Sequence, residues 1–193
     1  MDENTSVVLP EHSNLAKKRN WRCIVIAIII AVIGVYALNF FALQYDMNQT
    51  IKNDPRNQGI SVLTHYDYYL DQGTLIYDLR AIDGKHSMAD VFRVFLQFAE
   101  RAKDKGFNKV ILAYSGKEKF YINGEYYQKL GTEYSFQNPI YTIRTFPENL
   151  YNVDGSKAFP KWTGGLIGVL KQQMEDVNAF NHRWYLDEMK NQQ

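Results

Sequence analysis

The chain of 193 residues contains a single cysteine, Cys23, which lies inside a long apolar run. The rest of the sequence therefore forms no disulfide and offers no thiol for catalysis or metal binding. A domain of about 150 residues buries enough apolar surface to fold without such cross-links. If such a domain is exported, its lack of cysteine fits a bacterial periplasm better than an animal cell surface.

An excess of charge is also lacking, since 22 Lys and Arg are balanced by 21 Asp and Glu. Four basic and three acidic residues precede the apolar run, which leaves 18 of each sign after it. A neutral domain has no electrostatic attraction for nucleic acid or for anionic lipid. We therefore predict no nucleic-acid partner. The sequence shows neither an internal repeat nor a low-complexity tract.

The run itself, "CIVIAIIIAVIGVYALNFFAL" at 23–43, holds 21 residues without a formal charge. At about 1.5 Å per residue, a helix of this length crosses a hydrocarbon core of about 30 Å. A cleaved signal peptide has a shorter apolar region and small residues at the cleavage site, whereas bulky "ALNFFALQ" follows here. We interpret 23–43 as an uncleaved transmembrane signal anchor.

Basic residues set the expected orientation of this anchor. Lys17, Lys18, Arg19 and Arg22 precede the run, while fewer basic residues follow it closely, which favours a cytoplasmic N-terminus. The sequence thus divides into a cytoplasmic tail (1–22), the anchor (23–43), a polar linker (44–59) and a periplasmic domain (60–193). The expected location is the bacterial inner membrane, crossed once.

The first half of the domain reads as a hairpin followed by a strand–helix–strand unit. The β-branched and aromatic segments 60–70 and 74–82 flank the turn "DQG". An apolar stripe predicts a helix over 87–106 that begins at Ser87 and ends at Gly106. The apolar run at 109–114 then indicates a central strand, parallel to the strand before the helix.

The second half is less regular. Segment 117–134 fits either a hairpin or, as we favour, a strand followed by a short helix. We predict a strand at 139–146 and a final helix from about Gly165 to Met189. The expected fold class is α+β, with a mixed sheet of four or five strands and two long helices packed on one face.

Two glycines before the final helix raise the question of a phosphate cradle. Gly164 and Gly165 follow a loop and not a strand, and the lysine and the spacing of a phosphate-binding loop are missing. Thr163 is a suitable N-cap. We interpret Gly164 and Gly168 as positions of close packing by another backbone or ring, and no cofactor is predicted.

Four titratable residues lie close together in the sequence and are the first candidates for catalysis. "YDLRAIDGKH" places Asp78, Arg80, Asp83 and His86 near the end of a strand, where a cell-wall or phosphoester hydrolase would use Asp78, Asp83 and His86. We favour an Asp78–Arg80 ion pair on the open sheet face. One helix face carrying His182 lacks the second ligand cluster that a metal site needs, so no metal is predicted.

Tyrosine is the more informative residue, because its ring and hydroxyl suit protein interfaces. Thirteen of the fourteen tyrosines follow the anchor. We expect Tyr66 and Tyr68 to share a solvent-facing patch with Asp78 or Arg80. The pair Tyr126–Tyr127 is the second candidate for partner binding.

A resemblance rests on two stretches, "NPIYTIRTFPENLY" and "WTGGLIGVLKQQMEDVNAFNHRWY". Together they resemble a pattern in small signal-anchored, uncharacterised envelope proteins of Gram-negative bacteria, some of them linked to type VI secretion. This resemblance carries no functional residues over.

These observations favour a non-enzymatic, periplasm-facing interaction module that is an accessory or localising component of an envelope assembly. Its partners would be the membrane and another envelope protein, and a homo-oligomer remains open. The hydrolase is the alternative. A ligand sensor that signals through the anchor is disfavoured because the tail is too short for a signalling domain.

The orientation is testable with a reporter that is active only outside the cytoplasm. Fused after Gln193, this reporter should be active, because the basic residues before the anchor hold the N-terminus in the cytoplasm. An inactive fusion, together with an active cytoplasmic reporter at the same position, would reverse the assigned orientation.

Overall fold

The computed structural model of the chain describes residues 12–191, with side chains from residue 21 onward. It contains two units, of which the first ends at Leu38 and the second begins at Asn39. Most of the first unit is helix α1 (His12–Asn39), whose apolar side chains between Trp21 and Leu38 are largely exposed. Within the described residues, one helix near the N-terminus is long and apolar enough to cross a membrane.

The second unit is an α+β domain. Its helices are α2 (Tyr45–Asn53), α3 (Met88–Ala102), α4 (Gly124–Glu133), α5 (Pro139–Thr145), α6 (Leu166–Asn181) and α7 (Asp187–Asn191). Its strands are β1 (Ile60–Asp67), β2 (Asp71–Ile82), β3 (Lys109–Tyr114), β4 (Lys117–Asn123) and β5 (Tyr151–Asn152). A π-helical turn precedes α2 (Phe40–Gln44) and another joins α6 to α7 (His182–Leu186).

The five strands form one open mixed sheet in the order β1-β2-β3-β4-β5. Neighbouring strands are antiparallel except β2 and β3, which run parallel and are joined by α3. The expected hairpin and the expected crossover are both present. The hairpin turn, however, lies at Tyr68–Leu70, and the predicted turn residues Asp71, Gln72 and Gly73 begin β2.

Helix α3 begins where its sequence signals predict, and it ends at Ala102, where a 3-10 turn (Lys103–Lys105) continues the segment to Gly106. The Ser87 side chain accepts a hydrogen bond from the Asp90 N–H, and the Asp90 carboxylate accepts one from the Ser87 N–H, which completes a capping box. Gly106 ends the segment with a φ of 67°, a conformation that suits glycine. The apolar stripe of α3 is buried against the sheet, from Val91 to Ala102.

The prediction of a strand at 139–146 is wrong, because this stretch forms α5. Asn138 caps the helix by accepting a hydrogen bond from the Ile140 N–H at 2.9 Å. Pro139 occupies the first helical position, where its missing N–H costs nothing. These two local signals outweigh the β-branched residues that suggested a strand. The fifth strand is instead the two-residue β5.

Residues 44–59 are folded into the domain and are not a free linker. Leu43 and Met47 are both fully buried. They lie four residues apart, so they share one helical face that packs into the core, although the surrounding sequence is polar. The apolar run predicted as the anchor therefore overlaps the domain at its last residues.

The main core lies on one side of the sheet, where side chains of α3 and α6 belong to the same cluster as those of the strands. Tyr77 is at its centre, with ring-centroid distances of 5.1 Å to Phe95 and 6.1 Å to Trp184. On the other side, Ile76, Ile111 and Ala113 form a small separate cluster. Both expected long helices thus contribute to one face.

Two amide side chains pair with the free edge of β1. The Gln44 side chain accepts a hydrogen bond from the Thr64 N–H at 2.7 Å and donates one to the Val62 carbonyl at 3.1 Å. The Asn39 side chain accepts one from the Tyr66 N–H at 2.9 Å. We call Asn39 and Gln44 the amide clamp. It satisfies main-chain groups that an edge strand would otherwise leave available for another strand.

Removing one member of the amide clamp should expose this edge. Gln44→Ala leaves the Thr64 N–H without its partner, so we expect the full chain in detergent to lose about 1–3 kcal/mol of unfolding free energy. Hydrogen exchange at the Thr64 amide should accelerate as well. Gln72→Ala, at an exposed position of β2, is the control. Equal stability and exchange in the two variants would mean that the amide clamp contributes nothing.

Candidate functional site

Asp78 is a buried carboxylate on the sheet face opposite the helices. Its side chain is 2% exposed and accepts hydrogen bonds from the Gly116 N–H at 3.0 and 3.1 Å. The Arg80 guanidinium lies 2.6 Å from the Asp78 carboxylate, which confirms the expected ion pair. Burial nevertheless raises the pKa of Asp78, because the removal of water outweighs the Gly116 hydrogen bonds and the Arg80 charge.

Asp83 and His86 form a second pair. The His86 Nδ1 lies 2.5 Å from the Asp83 carboxylate, and its Nε2 lies 3.1 Å from the Arg56 carbonyl. The N–H of Lys85 and the imidazole hold the pKa of Asp83 below its usual range. Because both ring nitrogens are engaged, His86 ties the loop after β2 to the turn before β1 and has no free nitrogen for a substrate.

The three residues of the hydrolase alternative do not form one constellation. The polar contacts of Asp78 are with Gly116 and Arg80, whereas His86 contacts Asp83 and Arg56. A general base needs hydrogen-bond reach to a nucleophile or to water. Of the two carboxylates in this alternative, Asp83 lies within hydrogen-bond reach of His86, and the hydrogen bonds and ion pair described for Asp78 do not include His86.

The tyrosine candidates are dispersed. Tyr66 packs against the main core and is partly buried, while Tyr68 is 85% exposed in the hairpin turn with a φ of 47°. The expectation that they share a solvent-facing patch is therefore wrong, because the strand ends at Asp67 and its alternation ends with it. Tyr127 is fully inside the core, and Tyr126 is partly buried against it.

The glycines before α6 are not packing positions within this chain. A Cβ built on Gly164, Gly165 or Gly168 meets no atom within 4 Å. The N-cap is Gly165 and not Thr163, and no side chain caps the helix. The interpretation of Gly164 and Gly168 as sites of close approach therefore has no partner among residues 12–191.

Helix α6 exposes several apolar side chains at its N-terminal end. Its apolar residues recur every three or four positions, and this stripe is buried only in the second half of the helix, at Val177 and Phe180. The first half is exposed and forms what we call the α6 face, made of Leu166 (75% exposed), Ile167 (86%), Leu170 and Met174. An uninterrupted apolar surface of this kind marks an interaction site more often than a solvated face.

A cleft of about 300 Å³ continues the α6 face toward the core. Helices α3, α5 and α6 form its walls, and its lining is apolar apart from Asn181: Met88, Ala89, Phe92, Ile140, Ile143, Phe146, Met174, Val177 and Phe180. Met174 belongs to both features. The face and the cleft together offer projecting apolar side chains beside an apolar recess.

A larger cleft of about 610 Å³ lies between α4, α5 and the loop before α6. Its walls carry three lysines (Lys129, Lys157, Lys161) and two glutamates (Glu133, Glu148). The charges largely engage one another or nearby groups, since Lys157 donates to the Glu148 carbonyl and Glu148 accepts from Gln173. This cleft presents no set of convergent unpaired groups for a specific ligand.

Comparison of the chain with protein-family models, with curated proteins and with solved structures gave no significant match. Among the side chains that the structure describes, from residue 21 to residue 191, no group of three His, Cys, Asp or Glu could hold a metal ion. The α6 face with its cleft is therefore the candidate site, on geometry alone.

Periodicity identifies an apolar stripe on the final helix, from Leu166 to Trp184, and the expected packing of two long helices on one sheet face assigns all of it to the core. Nothing in the sequence marks where the core stops beneath this helix.

The raised pKa of Asp78 gives a stability effect with a definite sign. A carboxyl group whose pKa is raised on folding stabilises the fold at low pH and loses that contribution as pH rises through its folded pKa. The unfolding free energy of Asp78→Asn, relative to that of the unmodified chain, should therefore rise as the pH is raised from 4 to 7. Urea unfolding of the full chain in detergent at both pH values measures this difference.

Asp154→Asn is the control of opposite sign. The Ser156 hydroxyl and N–H lower the pKa of Asp154, so its charge stabilises the fold above the unfolded pKa and this contribution is lost at low pH. A relative stability of Asp78→Asn that falls from pH 4 to pH 7 would show that ion pairing with Arg80 outweighs burial.

Proposed function

We propose that this protein is a non-enzymatic interaction module, anchored in the bacterial inner membrane by its N-terminal helix and facing the periplasm. Exposed apolar side chains along α1 support the anchor, since such a surface is stable in lipid. The cluster of basic residues before Trp21 supports a cytoplasmic N-terminus. The module would act as an accessory or localising component of an envelope assembly. A type VI secretion assembly is the first candidate.

The observation that carries the proposal is the α6 face beside its cleft. Leu166 and Ile167 project into solvent at the same end of α6 where no strand or helix of the domain covers them. Burying such side chains against a partner contributes roughly 25 cal/mol per Å² of apolar area. An apolar recess next to the projecting residues supplies the shape that an interaction anchor needs.

The hydrolase alternative has less support. The Asp83–His86 pair is the one observation in its favour, and the Arg56 carbonyl occupies the remaining imidazole nitrogen. Asp78, the third residue of that alternative, is held by Gly116 and Arg80 on the sheet. These contacts support structural roles for all three.

The proposal predicts that a charge on the α6 face abolishes partner binding. A photo-crosslinking residue at Leu166, in cells producing the full chain, should form adducts. Ile167→Asp should reduce these adducts about tenfold or more, as expected for loss of an anchor of about 2 kcal/mol. The fold should persist, because exposed substitutions change stability by about 0.5 kcal/mol.

Leu70→Asp is the matched control, since Leu70 is 70% exposed in the hairpin turn and lies outside the α6 face. It should leave the adducts at the level of the unmodified chain. Equal adduct yields in Ile167→Asp and Leu70→Asp would remove the α6 face from consideration as the interaction site.

A further inference from the structure

We propose that the occupant of the α6 face is a second copy of this chain, packed antiparallel across a two-fold axis. The inference rests on the proposed interaction function and names its partner. A two-fold contact requires a patch that complements itself. The α6 face meets this requirement, because projecting residues and the apolar cleft lie along one side of the same helix.

The spacing along α6 fixes the register of such a pair. If the axis is level with Gln173, a rise of about 1.5 Å per residue places Leu170 about 4.5 Å from it. On the other copy, Met174 and Val177 lie about 1.5 and 6 Å from the axis on the matching side. Each Leu170 therefore inserts between Met174 and Val177 of the second copy. Ile167 likewise reaches the part of the cleft that Val177 and Asn181 line.

Charge complementarity supports the same register. Lys171 and Glu175 flank the α6 face, with side chains 77% and 63% exposed, and lie 3.9 Å apart within one chain. With the axis at Gln173, each Lys171 is level with Glu175 of the second copy, because both are two residues from the axis. Two intermolecular ion pairs then border the apolar contact, in addition to the pair within each helix.

Disulfide formation tests the proximity directly. In a Cys23→Ser background, Met174→Cys places thiols about 3 Å apart along the helix direction in the proposed pair. Mild oxidation of membranes containing the full chain should give a covalent dimer. Val153→Cys, at an exposed position outside the α6 face, should give none. No dimer from Met174→Cys, or equal dimer yields from both variants, would overturn the proposal.

Charge reversal distinguishes a second copy from any other occupant. Lys171→Glu and Glu175→Lys each place like charges opposite one another in both ion pairs, so each should weaken self-association about tenfold. A mixture of the two variants restores opposite charges at both pairs. Their co-expression should therefore recover the association that each lacks alone, as measured by co-purification of differently tagged full chains.

The outcomes separate this inference from the proposed function. If Leu166 adducts depend on Ile167 but contain a different protein, and the mixed charge variants do not recover association, the second copy is excluded while the interaction function stands. If an environment-sensitive fluorophore at Met174 responds to lipid vesicles and no covalent dimer forms, the occupant is a membrane surface and the second copy is likewise excluded.

Discussion

The amide clamp on the edge of β1 is the contact on which the rest of the domain depends. Asn39 and Gln44 are five residues apart, and the π-helical turn between them aligns residues at that spacing through its i→i+5 hydrogen bonds. Thr64 and Tyr66, whose N–H groups they bind, are two residues apart on the strand, or about 6.7 Å. The helical rise over five residues is of similar size, so two amides match two strand positions. Leu43 lies in the same π-helical turn, is fully buried, and packs into the main core of the domain. The β1 edge of the sheet, closed in this way, is less available for the addition of another strand.

A second contact explains why α6 extends past the core. A register shift between Leu112 and Ala113 interrupts the β3–β4 ladder. The Trp184 indole N–H donates to the Ala113 carbonyl at 3.0 Å, and the Trp184 ring stacks on Phe180. Phe180 lies in the last turn of α6, and Trp184 lies in the π-helical turn that follows it. The N-terminal turns of α6 therefore have no sheet beneath them, and the apolar residues there become the α6 face.

The sequence predicted the parts of this fold that local signals determine. Ser87, Asp90 and Gly106 identified α3 because capping and a left-handed C-cap act within a few residues. Asn138 and Pro139 carry an equally local signal for α5, and it outweighs the strand propensity of the β-branched residues that follow. Contacts between residues that are distant in sequence are harder to predict, because no local signal specifies them. Nothing in the polar segment 44–59 indicates that Met47 is buried. Likewise, nothing in the sequence around Tyr68 indicates that β1 ends at Asp67. The candidate site was missed for the same reason, since periodicity identifies an apolar stripe without showing where the sheet beneath it stops.

Confinement to a membrane changes how much surface an interaction needs. If α1 anchors the chain as proposed, two domains meet in two dimensions, so their effective concentration is far above the bulk value and a modest interface suffices. The α6 face, with four exposed apolar residues and one adjoining cleft, is of this modest kind. In the proposed pair a neutral domain would supply no long-range attraction, so recognition would depend on short-range apolar fit, with ion pairs between Lys171 of one copy and Glu175 of the other setting the register. The proposed anchor would supply concentration and the α6 face would supply fit, so the proposed interaction needs no larger apolar surface than the described domain exposes.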